Sequence, residues 1–149
     1  MIAEATVYKL LSSDDRLNAL MDKIRGGAFG NGFKQGIFTY AIPENPVNVI
    51  KKELAPFVRI NPNYDTTAYY ADDKPLATEY RVTINFWCET AKQSDEIGKL
   101  MDDILSKGGF ERYTSNEKPR YKDGDIDLLM NIRKYRFFDW STTNENEDE

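Results

Sequence analysis

Asp123, Asp125 and Asp127 alternate along the chain, and three carboxylates at that spacing suggest a calcium or magnesium ligand set. In an extended strand, alternation would place all three on one side. A calcium loop of the EF-hand kind also needs an acidic residue at its twelfth position. Counted from Asp123, that position is Lys134, so the loop fails. The stretch reads instead as an Asp-Gly turn entering a strand, and neither a metal nor another cofactor is expected.

The remaining candidates are explained by structure. Asp72-Asp73 sits in a polar stretch, and adjacent carboxylates in extended chain point apart. Asp102-Asp103 falls on the solvent face of a predicted helix. Asp14-Asp15 falls at a helix N-terminus, where negative charge is favoured. Cys88 lies on the apolar face of a strand with no base to name beside it, as an inert buried thiol would. Residues 26–36 hold five of the nine glycines. They match neither phosphate-binding glycine motif, and no strand precedes them. They read as a flexible loop carrying Phe29 and Phe33. The chain has no histidine. That removes Ser-His and Cys-His catalysis and the commonest transition-metal ligand. A protein that is not an enzyme is expected, with a metal-dependent carboxylate enzyme as the competing reading.

Around these groups the elements can be placed. Ala3, Val7, Leu10 and Leu11 form a helical stripe over residues 2–11. Ser12 and Asp15 form an S-x-x-D cap for a second helix with Leu17, Leu20, Met21 and Ile24, ending at Gly26-Gly27. Ile37–Tyr40 and Phe57–Ile60 are short strands, closed by Pro43 and Pro46 and by Pro62 respectively. A long polar loop with Tyr64, Tyr69 and Tyr70 lies between Asn61 and Thr78, flanked by strands as in a long hairpin. Loops of that length are usually functional or disordered.

Tyr80–Cys88 alternates, with Tyr80, Val82, Ile84, Phe86 and Cys88 on one face. Trp87 interrupts the polar face, and its exposure would mark a partner surface. Thr90 and Gln93 make a capping box for a third helix with Ile97, Leu100, Met101, Ile104 and Leu105 inward. Gly108 fits the left-handed position that ends it. Phe110–Tyr113 returns as a strand. The last strand has Leu128, Met130 and Ile132 on one face, then switches parity at Tyr135 and Phe137. A bulge or a change of environment near Arg133 explains the switch.

The chain has 149 residues, 30% of them charged, with a net charge of -5 and one cysteine. That suits one domain with a modest core and no internal disulfide. No apolar run approaches the roughly 18 residues of a membrane span. The N-terminus lacks the layout of a signal peptide. The acidic balance disfavours tight binding to nucleic acid. The expected fold is α+β: a mixed, mostly antiparallel sheet with helices packed on it, as a single domain over residues 1–140. Residues 141–149 read as a solvated acidic tail.

The order of elements resembles the tail terminator proteins of long-tailed bacteriophages, also called tail completion or tail-to-head joining proteins. It is carried by Phe57-Val58-Arg59-Ile60-Asn61-Pro62, by Val82–Thr90 running into the helix, by Leu105-Ser106-Lys107-Gly108-Gly109-Phe110, and by Tyr135-Arg136-Phe137. The resemblance implies a structural subunit of the virion, made in the bacterial host cytoplasm, that assembles with itself as a ring, usually of six copies. Such a ring caps the tail tube, stops its polymerisation and joins the tail to the head connector. DNA passes through the lumen without specific binding. Another neck or head-closure component is the alternative within the same class. The interface candidates are Tyr64, Tyr69, Tyr70, Trp87, Phe29 and Phe33, because Tyr and Trp commonly anchor protein interfaces.

Overall fold

The computed structural model describes residues 1–71, 74–113 and 118–140, and at 64, 66, 69–71, 74 and 75 the backbone alone. The Asp72-Asp73 pair and the acidic stretch 141–149 lie outside the described residues. The elements are α1 (Ala3–Ser12), α2 (Asp15–Arg25), β1 (Ile37–Thr39), β2 (Phe57–Ala71), β3 (Lys74–Cys88), α3 (Ala91–Lys107), β4 (Glu111–Arg112), β5 (Arg120–Asp123) and β6 (Leu128–Asp139), with a 3-10 turn at Lys52–Leu54. The strands form one mixed sheet in the order β1-β2-β3-β6-β4, and β5 also pairs with β6. β1 runs parallel to β2 and the other pairings are antiparallel. The chain is therefore α+β, as expected. No described helix is long and apolar enough to cross a membrane.

All three helices lie against one face of the sheet. Val58, Ile60, Val82, Ile84, Phe86 and Cys88 meet Val7, Leu11, Leu17, Met21, Ile97, Met101 and Leu105 in one apolar cluster. Each large side chain buried this way contributes roughly 1.5–3 kcal/mol. α1 and α2 break where the stripe predicts, but the cap differs. Asp14, not Ser12, starts α2, and its carboxylate accepts from the main-chain N–H of Arg16 and Leu17. For α3, Thr90 caps Gln93 N–H as expected, and the Gln93 side chain reaches back to the N–H of Glu89.

The opposite face is also covered at one end. Phe57, Trp87, Leu128 and Met130 pack with Phe29, Phe38, Ile42 and Val49 into a second apolar cluster. This accounts for the parity switch in β6. The β3–β6 register runs without a shift from Thr78↔Asp139 to Cys88↔Leu129, so no bulge interrupts it. Leu128 and Met130 serve the second cluster, whereas Tyr135 and Phe137 serve the helix side. Period two is kept and the environment changes.

The left-handed residue after α3 is Gly109, with φ +89°, one position later than expected, while Gly108 has φ -86°. A Cβ on Gly109 would lie 2.8 Å from Phe137 Cε2, and that ring is packed against Phe110. Gly109→Ala combines backbone strain with overpacking and is expected to cost about 1–3 kcal/mol. Urea denaturation measures this, and an unchanged midpoint would show that the turn tolerates a side chain.

Candidate functional site

The stretch read as a loop is a β-ribbon. β2 does not stop at Pro62. It pairs with β3 from Phe57↔Trp87 to Ala71↔Lys74, with one register shift between Pro62 and Tyr64. Pro62 has no N–H to give to the ladder, and the shift at that point is a bulge that accommodates it. β1 covers β2 only at Val58–Ile60, and β6 covers β3 only as far as Thr78. From Ala68↔Ala77 onward the two strands run beyond both neighbours, about 13 Å at the usual rise per residue. The outer edge of β2 from Asn61 to Ala71 is paired by no strand among the described residues. A sheet edge that no neighbouring strand covers invites pairing with another chain. The backbones of Tyr64, Tyr69 and Tyr70 all lie on this ribbon, Tyr64 opposite Arg81 and Tyr70 opposite Pro75.

The other three interface candidates are placed differently. Trp87 is 7% exposed and stacked against Phe57, with ring centroids 5.4 Å apart. Its indole N–H donates to Asp123 Oδ2 at 3.1 Å. Its interruption of the polar face therefore belongs to a second core, not to an exposed surface. Phe29 is 1% exposed and makes edge contacts with Phe33 and Phe38. Phe33 is partly buried against the same cluster. The glycine-rich loop is packed down, and Gly36 sits where a Cβ would come within 2.9 Å of the Phe29 ring. Arg25 fixes the segment from the other side. Its guanidinium lies 5.0 Å from the Phe29 centroid and donates to the carbonyls of Leu54 and Pro56. Burial lowers the Arg25 pKa, against the opposing pull of Asp22.

Two of the three alternating aspartates engage partners of their own, and the Asp125 carboxylate has none among the described residues. Asp123 accepts from Trp87 and, through Oδ1, from the Asp125 N–H in the turn. Asp127 adopts φ +58° and pairs with Lys122 and Lys52, both at 2.7 Å. Lys122 first and Lys52 second hold its carboxyl down at about 2. Among the described residues no group of three His, Cys, Asp or Glu side chains is arranged to hold a metal ion. Cys88 is buried beside Ser94 Oγ at 3.0 Å, and burial raises its pKa against the hydrogen bonds that lower it.

Asp102 does not face solvent alone. It accepts from Arg133 Nη2 and from the Tyr135 hydroxyl, and the Arg133 side chain is 14% exposed. Burial pushes the Tyr135 hydroxyl pKa well up, and the Asp102 hydrogen bond adds to that. Burial works against the Arg133 charge, but Tyr135 and Asp102 outweigh it and raise its pKa. Gly98 makes room for this network: a Cβ there would lie 2.6 Å from Arg133 Nη1. The sequence signal for it was a glycine on the inward stripe of α3, four residues before Asp102.

No protein-family model and no curated relative matches the sequence. Solved structures do match the fold. A chain from the virion of a native gene transfer agent particle aligns over 93% of this chain and 98% of its own, with 14% identity and a TM-score of 0.56. The two folds are alike almost end to end. The structure of the bacteriophage SPP1 gp17 protein aligns over 91% of this chain and 86% of its own, with 12% identity and a TM-score of 0.48.

Proposed function

We propose that this chain is a non-catalytic structural subunit of a phage-type virion, placed at the tail or neck. It assembles with copies of itself as a ring. The ring caps the tail tube, ends its polymerisation and joins the tail to the head connector, with DNA passing through the lumen. The observation that carries this reading is the near end-to-end likeness of fold to a chain of a virion particle. The β2–β3 ribbon supports it, because an edge left open on one copy offers a pairing surface to the next. Separate engagement of Asp123 and Asp127 weighs against the carboxylate-metal alternative.

Light scattering of the purified protein, alone and mixed with its tail tube protein, tests the assembly. A ring-sized species in either condition is expected. A monomer in both, with no effect on tube length, would sink the proposal. Electron microscopy of isolated tails then separates a terminator, seen at the head-proximal end of the tube, from a head-closure component, seen on the head.

A further inference from the structure

On the second face of the sheet, a cleft of about 480 Å³ opens between the 41–50 segment and the turn joining β5 to β6. Arg59, Trp87 and Ile126 line it, together with Glu44, Asp123 and Asp125. Arg59 is the unusual member. Its guanidinium stacks over Trp87, Cζ 5.2 Å from a ring centroid, and Nη2 donates to Asn85 Oδ1 at 3.1 Å. Nε is buried without an acceptor. No carboxylate among the described residues pairs with it, although an arginine that is partly buried ordinarily has one. Asp123 is committed to Trp87 and its own turn. Glu44 and Asp125 are exposed, and their carboxylates are unbonded among the described residues.

The charges restrict what can enter. Three carboxylates against one guanidinium leave the lining net negative, which repels a free anion. A small cation would satisfy the acidic side and leave the Arg59 donors unmet. A polypeptide supplies both needs. A main-chain carbonyl accepts from Arg59 Nη1, which unlike Nε is not buried, and a basic side chain lays its aliphatic stem on Trp87 and Ile126 with its head at Glu44 and Asp125.

We propose that this cleft is a docking site for an extended segment of a partner protein presenting a lysine or arginine. The proposal stands on the cleft and does not need the tail assignment. It is tested with acetyl-Ala-Lys-Ala-amide and acetyl-Ala-Glu-Ala-amide as probes. In a Trp140→Phe background the only indole is that of Trp87, and its N–H resonance and emission report binding. The lysine peptide is expected to shift both saturably, with a dissociation constant on the order of 1 mM. Arg59→Gln, and separately Glu44→Gln with Asp125→Asn, are expected to weaken it about tenfold. Tighter binding by Arg59→Gln would mark a plain cation site and overturn the proposal. So would preference for the glutamate peptide, or no saturable shift with either. If Arg59→Gln does not fold, Arg59→Lys keeps the charge, loses the fork, and is expected to weaken binding in the same direction.

Discussion

A chain in which residues 68–77 are replaced by Asn-Gly is expected to fold normally and to stay monomeric. Thr67 and Thr78 are register partners, so a two-residue turn between them closes the hairpin without disturbing what lies below. None of the removed residues belongs to either apolar cluster, and among those described Ala77 alone is fully buried, so the thermal midpoint should fall by no more than the loss of one small side chain. Assembly is another matter. The replacement removes the part of the ribbon that reaches beyond β1 and β6, and Tyr69 and Tyr70 with it. Loss of an aromatic anchor at an interface commonly costs about 2 kcal/mol or more. That is roughly a 30-fold weaker contact at each boundary between subunits. Light scattering and circular dichroism on the same sample decide the question. A ring of unchanged mass would exclude the outer part of the ribbon, residues 68–77, as the contact. Should the shortened chain fail to fold, the full-length Tyr69→Ser/Tyr70→Ser variant gives the same reading.

The second large effect concerns stability. Asp102→Ala is expected to cost about 3 kcal/mol, the low end for breaking a buried pair, because the Asp102 side chain is still 33% exposed. What remains after the substitution is the Arg133 charge, largely buried, and a Tyr135 hydroxyl without its acceptor. The loss comes mainly from the stranded charge. Adding Arg133→Met should therefore recover more than half of it, since an apolar side chain of similar length fills the groove over Gly98. Urea denaturation of both variants checks this. A loss under about 1 kcal/mol for Asp102→Ala would place the pair with ordinary surface ion pairs.

The sequence was most legible where one side of an element faced a single environment. The stripes of α1, α2 and α3 and the even-numbered face of β3 were read correctly because 3.6-residue and two-residue periods leave an unambiguous mark when only one face is buried. The ribbon was not legible. Its residues are polar because both strand faces there lie outside the two cores, and polar, Pro-interrupted sequence carries the signature of a loop. The second core was missed for the opposite reason. Its members, among them Phe29, Val49, Phe57, Trp87 and Leu128, come from distant segments and leave no local period. For the same reason Trp87 looked like a surface residue. Of the candidate site, the placement of the three tyrosines on one outlying segment could be read, but the half-buried arginines at 25, 59 and 133 could not. Charged residues count as solvent-facing until a partner across the fold is known.

β3 is a single strand that reaches from the tip of the ribbon to the edge of the Arg59–Trp87 cleft. Its hydrogen bonds to β6 lie across the strand axis over the stretch from Thr78 to Cys88. A pull on the ribbon along that axis therefore loads these bonds side by side, in shear, and no single bond has to yield first. The same tension is delivered to the strand segment that carries Trp87. Such a load would run through the sheet, while the helices, all on one face, lie outside the line of force.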